Sequence, residues 1–151
     1  AREVLFNWLQ GRVPGARCLD LFAGTGALGL EALSRGAAKA VFVENGRTAL
    51  CLLNRNIEIC RAEDRARVIQ RDARKPGIPA GDPATLVFLD PPYGKRMGEA
   101  ALNGLLAGGW IAPGALIVWE ESAAIAPPEG LRLLDARRYG DTVIHMLERS
   151  D

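Results

Sequence analysis

Apolar positions recur along the chain at two alternating spacings. In residues 1–10, Val4, Leu5, Trp8 and Leu9 fall at the three- and four-residue intervals of one helical face, and Gly11 with Pro14-Gly15 breaks the helix. Residues 17–22 (RCLDLF) form a short apolar run that stops at a glycine-rich turn, the pattern of a buried strand. Helical spacing returns over residues 27–35, with Gly36 as the stop. Residues 40–44 (AVFVE) predict a second strand, and residues 47–62 the longest helix, with Leu50, Leu53, Ile57 and Cys60 on its apolar face. Further strands are expected over 67–70, 85–90 and 115–119. Between them lie a loop over 75–83 and a helix over 98–107 that Gly108-Gly109 ends. The fourth strand must stop at Pro91-Pro92, because proline cannot donate a ladder hydrogen bond. Two last strands, near 131–138 and 142–148, flank Tyr139-Gly140-Asp141, a tight hairpin signal.

Strand–helix alternation predicts an α/β fold, a Rossmann-like parallel sheet with helices on both faces. The near-continuous apolar strands agree, since such strands are covered on both sides. No repeat or linker divides the chain, so residues 1–151 read as one domain. Hydrophobic residues make up 48% and charged residues 25%, ordinary for a globular protein. Nineteen basic against 18 acidic residues leave a formal charge of +1, which neither advertises nor excludes a polyanionic partner. Cys18, Cys51 and Cys60 lack metal-ligand spacing and read as core thiols in a reducing compartment. No apolar run reaches the roughly 20 residues of a membrane span and no signal peptide is visible, so a cytoplasmic location is expected.

The chemistry concentrates at strand ends. Residues 20–29 read DLFAGTGALG, placing Gly24, Gly26 and Gly29 in the pattern G-x-G-x-x-G between a strand and a helix. Glycine there lets a ligand approach the backbone, and the helix start offers free N–H groups. Phe22, Ala23 and Thr25 complete the loop. Glu44, with Asn45 beside it, ends the next strand, where a carboxylate can accept both hydroxyl hydrogens of a ribose. Glycines alone fit a nicotinamide or flavin dinucleotide. Asp20 argues otherwise: its carboxylate repels a pyrophosphate and attracts the ammonium of a methionine moiety, which favours S-adenosylmethionine. Capping loop N–H groups is the other reading of Asp20. Asp72, with Ala73, follows the third strand and either accepts from an adenine amino group or caps a turn.

Asp90-Pro91-Pro92-Tyr93 closes the fourth strand, at the same edge. Two prolines remove two N–H donors and leave the Asp90 carboxylate and the Pro91 carbonyl as acceptors. An exocyclic NH2 group offers two hydrogens, which two acceptors can hold. Held so, its delocalised lone pair is turned toward an electrophilic methyl group. Tyr93 offers a flat surface for a planar base, and a base taken from a helix must be flipped out to reach it.

These residues resemble the RsmD family, bacterial methyltransferases of the guanine N2 amine in small-subunit ribosomal RNA. The resemblance runs through Glu3–Leu9 (EVLFNWL), Asp20–Ala32 (DLFAGTGALGLEA), Asp90–Tyr93 (DPPY) and Tyr139-Gly140-Asp141-Thr142. It implies a seven-stranded sheet whose last strand is antiparallel. It implies S-adenosylmethionine contacts at Asp20, Gly24, Gly26, Glu44 and Asp72, and target-amine contacts at Asp90, Pro91, Pro92 and Tyr93. Family members usually carry a basic, glycine-containing segment ahead of the position of Ala1, and it is absent here. The expected partner is ribosomal RNA, free or within the small subunit, and the expected state a monomer. Rival readings are an amine methyltransferase on DNA or protein glutamine, a non-catalytic RNA-binding module and an NAD-dependent oxidoreductase. Asn commonly stands at the Asp90 position in the glutamine class, 151 residues leave little room for DNA target recognition, and Asp20 with DPPY disfavours the dinucleotide.

Other residues carry less. His145 is expected in a structural or surface role, and Trp110 and Trp119 in the core or a wall. Lys95 and Arg96 either meet phosphates near the target or are solvated, and for Arg137 and Arg138 solvation is favoured. Phe6 and Asn7 either line the cofactor pocket or, for Phe6, pack the helix.

Overall fold

In a computed structural model, residues 2–79, 81–93 and 95–150 are described. The expectations that touch Ala1, Ala80 and Asp151 lie outside those residues. Helix α1 (Arg2–Trp8) leads through a short 3₁₀ turn to strand β1 (Arg17–Leu21). Then follow α2 (Ala27–Ser34), β2 (Lys39–Glu44), α3 (Arg47–Ile59), β3 (Ala66–Gln70), β4 (Ala84–Leu89), α4 (Met97–Gly108), β5 (Ile111–Glu121), β6 (Leu131–Tyr139) and β7 (Thr142–Arg149).

The seven strands form one sheet in the order β3-β2-β1-β4-β5-β7-β6. β7 is inserted between β5 and β6 and is antiparallel to both, while the first five strands are parallel. Side chains alternate between two cores, as the period of a strand dictates. Cys18, Phe42, Phe88, Val118 and Ile144 face α1, α2 and α3. Leu19, Leu21, Val87, Ile117, Trp119 and Leu147 face α4. Both faces are therefore covered, which explains the unbroken apolar strands.

Four local expectations are corrected. The buried face of α1 is Leu5 and Phe6 with Leu9 just beyond; Val4 is 46% exposed, and Trp8 is half-buried beneath the Arg137 guanidinium, 3.8 Å from the ring centroid. α3 ends at Ile59 because Arg61 turns left-handed (φ 53°), so Cys60 leaves the stripe. Cys51 and Cys60 are exposed, and only Cys18 is a core thiol. β5 begins at Ile111 rather than 115, since the register slips where Ala84 pairs Ile111 and Leu86 pairs Leu116. Pro113 and Gly114 sit in that irregularity, where ladder bonds are not required of them. His145 is buried, with its Nδ1–H donating to the Trp119 carbonyl at 3.1 Å. No helix of the described residues is long and apolar enough to cross a membrane.

Candidate active site

The parallel strands β1, β2, β3 and β4 end at one edge, and the motifs with them. In register, Leu21 lies between Val43 and Leu89, so the residues after it stand between Glu44 and Asp90. Phe22 leaves β1 with φ 56°, a conformation costly for a bulky side chain and typical of residues held by a site. Gly24 and Gly26 follow with φ 59° and 83°. A Cβ on Gly26 would lie 2.4 Å from Leu53 Cδ1, so this position needs glycine for space as well as for conformation.

Glu44 holds the turn together. Its Oε1 accepts from Gly24 N–H at 2.8 Å and its Oε2 from Gly46 N–H at 2.9 Å. Thr25 is exposed, and its carbonyl accepts from Asn56 Nδ2–H at 3.0 Å. Ala23 N–H donates to the Val43 carbonyl at 3.2 Å. Asp20 lies beneath the loop, 2% exposed, and its Oδ2 accepts from Gly29 N–H at 3.0 Å in the first turn of α2. Burial pushes this carboxyl up to about 8; the Gly29 bond opposes the rise, and the charges of Asp90, Glu44 and Glu120 add to it.

A crevice of about 560 Å³ opens at this edge, lined by Phe22, Glu44, Asn45, Asp72, Arg74, Asp90, Pro91, Pro92 and Met97. Its size suits a small-molecule ligand. Asp72 forms a forked ion pair with Arg74, whose Nη2 is 2.7 Å from Oδ2, and its Oδ1 accepts from Arg74 N–H. Those bonds hold its carboxyl below the usual range. Ala73 turns away from the crevice into the α4-side core.

Asp90 is exposed at the end of β4, yet desolvation by the surrounding protein raises its carboxyl. Pro91 is buried and fixes the turn; Pro92 and Tyr93 are exposed. The Tyr93 hydroxyl bonds Thr142 Oγ1 at 2.8 Å, which ties the strand-end motif to the start of β7. No arginine or lysine forms an ion pair with Asp20, Asp90 or Glu44 among the described residues. The edge therefore presents uncompensated negative charge, which suits a cationic ligand and repels a pyrophosphate.

Thus the sheet brings Asp20, the glycine turn, Glu44, Asp72 and Asp90 to one edge. Sequence reasoning missed Arg74, Met97, Glu120 and the part Thr142 plays. The first two follow loops of no fixed pattern. Glu120 stands one residue before the end of β5 at the same edge, and that position was the available signal. A more enclosed hollow of about 260 Å³ lies at the opposite edge, among Arg17, Lys39, Arg67 and Trp110. It adjoins none of the strand-end motifs.

Sheet order, glycine turn and strand-end motifs together define the Rossmann-like fold of class I methyltransferases. The chain belongs to the family described as Conserved hypothetical protein 95, which matches residues 1–148. It is 44% identical over 119 residues to ribosomal RNA small subunit methyltransferase D of Escherichia coli K12, covering 79% of this chain and 60% of that protein. It is 36% identical over 144 residues to the Haemophilus influenzae protein of the same name, covering 92% of this chain and 75% of that protein. A solved structure described as the putative methyltransferase yhhF from Escherichia coli superposes with a TM-score of 0.89 at 38% identity, covering 99% of this chain and 84% of that one.

Proposed function

We propose that this protein transfers a methyl group from S-adenosylmethionine to the exocyclic N2 amine of a guanine in small-subunit ribosomal RNA. The observation that carries the reading is the Asp90-Pro91-Pro92-Tyr93 turn at the rim of a negatively charged crevice that also holds Glu44. The similarity to the ribosomal RNA small subunit methyltransferases D of Escherichia coli and Haemophilus influenzae supports both the RNA class and the small subunit.

The residues fit the cofactor. Glu44 stands where a ribose would be held, and its carboxylate retains lone pairs beyond those used by the N–H groups of Gly24 and Gly46. Glu44 and Asp90 supply negative charge for a cation, Asp20 beneath the loop gains its charge when a cation displaces its proton, and Asp72 and Asn45 line the wall expected to meet adenine. When bound, S-adenosylmethionine supplies a methyl carbon on a sulfonium, with a neutral thioether as leaving group.

The protein's own part is orientation and proton acceptance. Asp90 and the Pro91 carbonyl accept the two amine hydrogens and aim the nitrogen lone pair. Tyr93, held by Thr142, stacks on the flipped base. The amine sheds one proton after transfer, and the desolvated, more basic Asp90 carboxylate receives it.

The test is incubation with labelled S-adenosylmethionine and undermethylated small ribosomal subunits, followed by digestion and identification of the labelled nucleoside. Labelled N2-methylguanosine, abolished by Asp90→Ala while S-adenosylhomocysteine still binds, is the expected result. Label absent from RNA despite cofactor binding would overturn the substrate assignment.

A further inference from the structure

Glu120 adds a further carboxylate to this edge, beside Asp90. β4 and β5 are in register at Leu89 and Trp119, so the next pair in line is Asp90 and Glu120. Val118 faces the same core as Phe88, and Glu120, two residues on, shares that face and pairs across to Ile144 of the same core. The side chain is half-buried and joins no ion pair or hydrogen bond among the described residues. Its carboxyl is pushed up to about 7, by desolvation first and then by the charge of Asp90, as two carboxyls side by side require.

A lone half-buried carboxylate costs free energy unless a donor meets it. Guanine carries such a donor next to its amine: on its Watson–Crick edge, N1–H adjoins the N2 group. Adenine presents a bare, accepting N1 there, which a carboxylate repels. An N2 amine held by Asp90 and the Pro91 carbonyl brings N1–H to the side of one of those acceptors, and Glu120 is the carboxylate adjacent to Asp90.

Resting on the reading above, we propose that Glu120 accepts the N1–H of the target base and makes the site specific for guanine. Asp90 addresses the reacting amine; Glu120 addresses its neighbour on the ring and takes no part in the transfer. The same arrangement selects against bases that have an exocyclic amine but no adjacent ring N–H.

The experiment uses 2-aminopurine, which keeps the N2 amine and lacks N1–H. The target nucleotide, once mapped, is replaced by 2-aminopurine through RNA ligation, and methylation is compared with the guanine RNA in reconstituted subunits. The wild-type protein is expected to prefer guanine by about ten- to a hundredfold in kcat/KM, the span of a charge-assisted hydrogen bond. Glu120→Met should bring that ratio close to one by slowing guanine while leaving 2-aminopurine unchanged. Glu120→Gln, which keeps an accepting oxygen, should give an intermediate ratio. An undiminished ratio in Glu120→Met overturns the proposal, as does an equal loss on both RNAs. Should Glu120→Met fail to fold, an undiminished ratio in Glu120→Gln overturns it. Failure of the underlying reading is distinct, because the wild-type protein would then label no guanine N2 in the unsubstituted RNA.

Discussion

The Tyr93 hydroxyl and Thr142 Oγ1 share a hydrogen bond of 2.8 Å across 49 residues of sequence. Tyr93 is 42% exposed, so little packing holds its ring, and this bond fixes the ring's direction. Thr142→Val should remove about 1 kcal/mol of that orientation. The expected outcome is a roughly fivefold lower kcat/KM on RNA, by the same arithmetic, with S-adenosylhomocysteine affinity unchanged. Thr142→Ser should restore activity. Tyr93→Phe combined with Thr142→Val should be no worse than either alone, and full additivity in that cycle would show that the bond does not position the ring.

Asp20 makes stability depend on pH. Its carboxyl moves from 3.8 to about 8 on folding, so the native protein keeps a proton that the unfolded chain has lost. The contribution is fully present below about pH 4 and is lost as pH rises through about 8. Glu120, pushed up to about 7, acts in the same direction. The ligand-free melting temperature should therefore fall between pH 5 and pH 8.5, and Asp20→Asn should flatten the fall. A cationic ligand reverses the balance and displaces protons. Calorimetry at pH 7 in buffers of different ionisation enthalpy should show proton release on S-adenosylmethionine binding, reduced in Asp20→Asn. Proton uptake would mean that no cation comes near Asp20.

Gly29 needs no unusual backbone angle; space alone excludes a side chain. A Cβ there would lie 2.4 Å from Cε1 of the fully buried Phe42 and 3.2 Å from Asp20 Oδ2. Overpacking costs about 1–3 kcal/mol and alanine's helix preference returns up to about 1. Gly29→Ala should melt a few degrees lower, about 2–4 °C per kcal/mol at this size. Gly11→Ala, with nothing within 4 Å, is the control. A Gly29→Ala protein as stable as wild type would show that the Phe42 ring moves aside freely.

Thiol chemistry should divide the cysteines. Cys51 and Cys60 are exposed, while burial, with Asp20's charge, pushes the Cys18 thiol up to about 12. Two thiols per chain should react with a disulfide reagent in the native state and a third only after unfolding. Rapid reaction of all three would contradict the placement of Cys18.

What could be read beforehand was whatever local chemistry decides. The strand ends at Asp20, Glu44 and Asp90 were legible because apolar runs stop at glycine or proline there. What tertiary packing decides was hidden. Phe6 faces the core because Phe88 meets it, ring centroids 5.8 Å apart, and no helical period ranks it above Val4. α3 stops at an arginine in a left-handed conformation, where no glycine announces the end. Within the site, the Asp72–Arg74 pair and the closeness of Glu120 to Asp90 depend on contacts that spacing does not express.

The insertion of β7 between β5 and β6 also sets an order of assembly. Asp90 and Tyr93 leave the ribosome well before Thr142, and until β7 arrives β5 has an open edge and Tyr93 has no anchor. A nascent chain can close the glycine turn around Glu44 while the side anchored by Thr142 is still unformed. The two sides of the crevice are thus completed at different times in synthesis, the Glu44 side first and the Tyr93 side near the end.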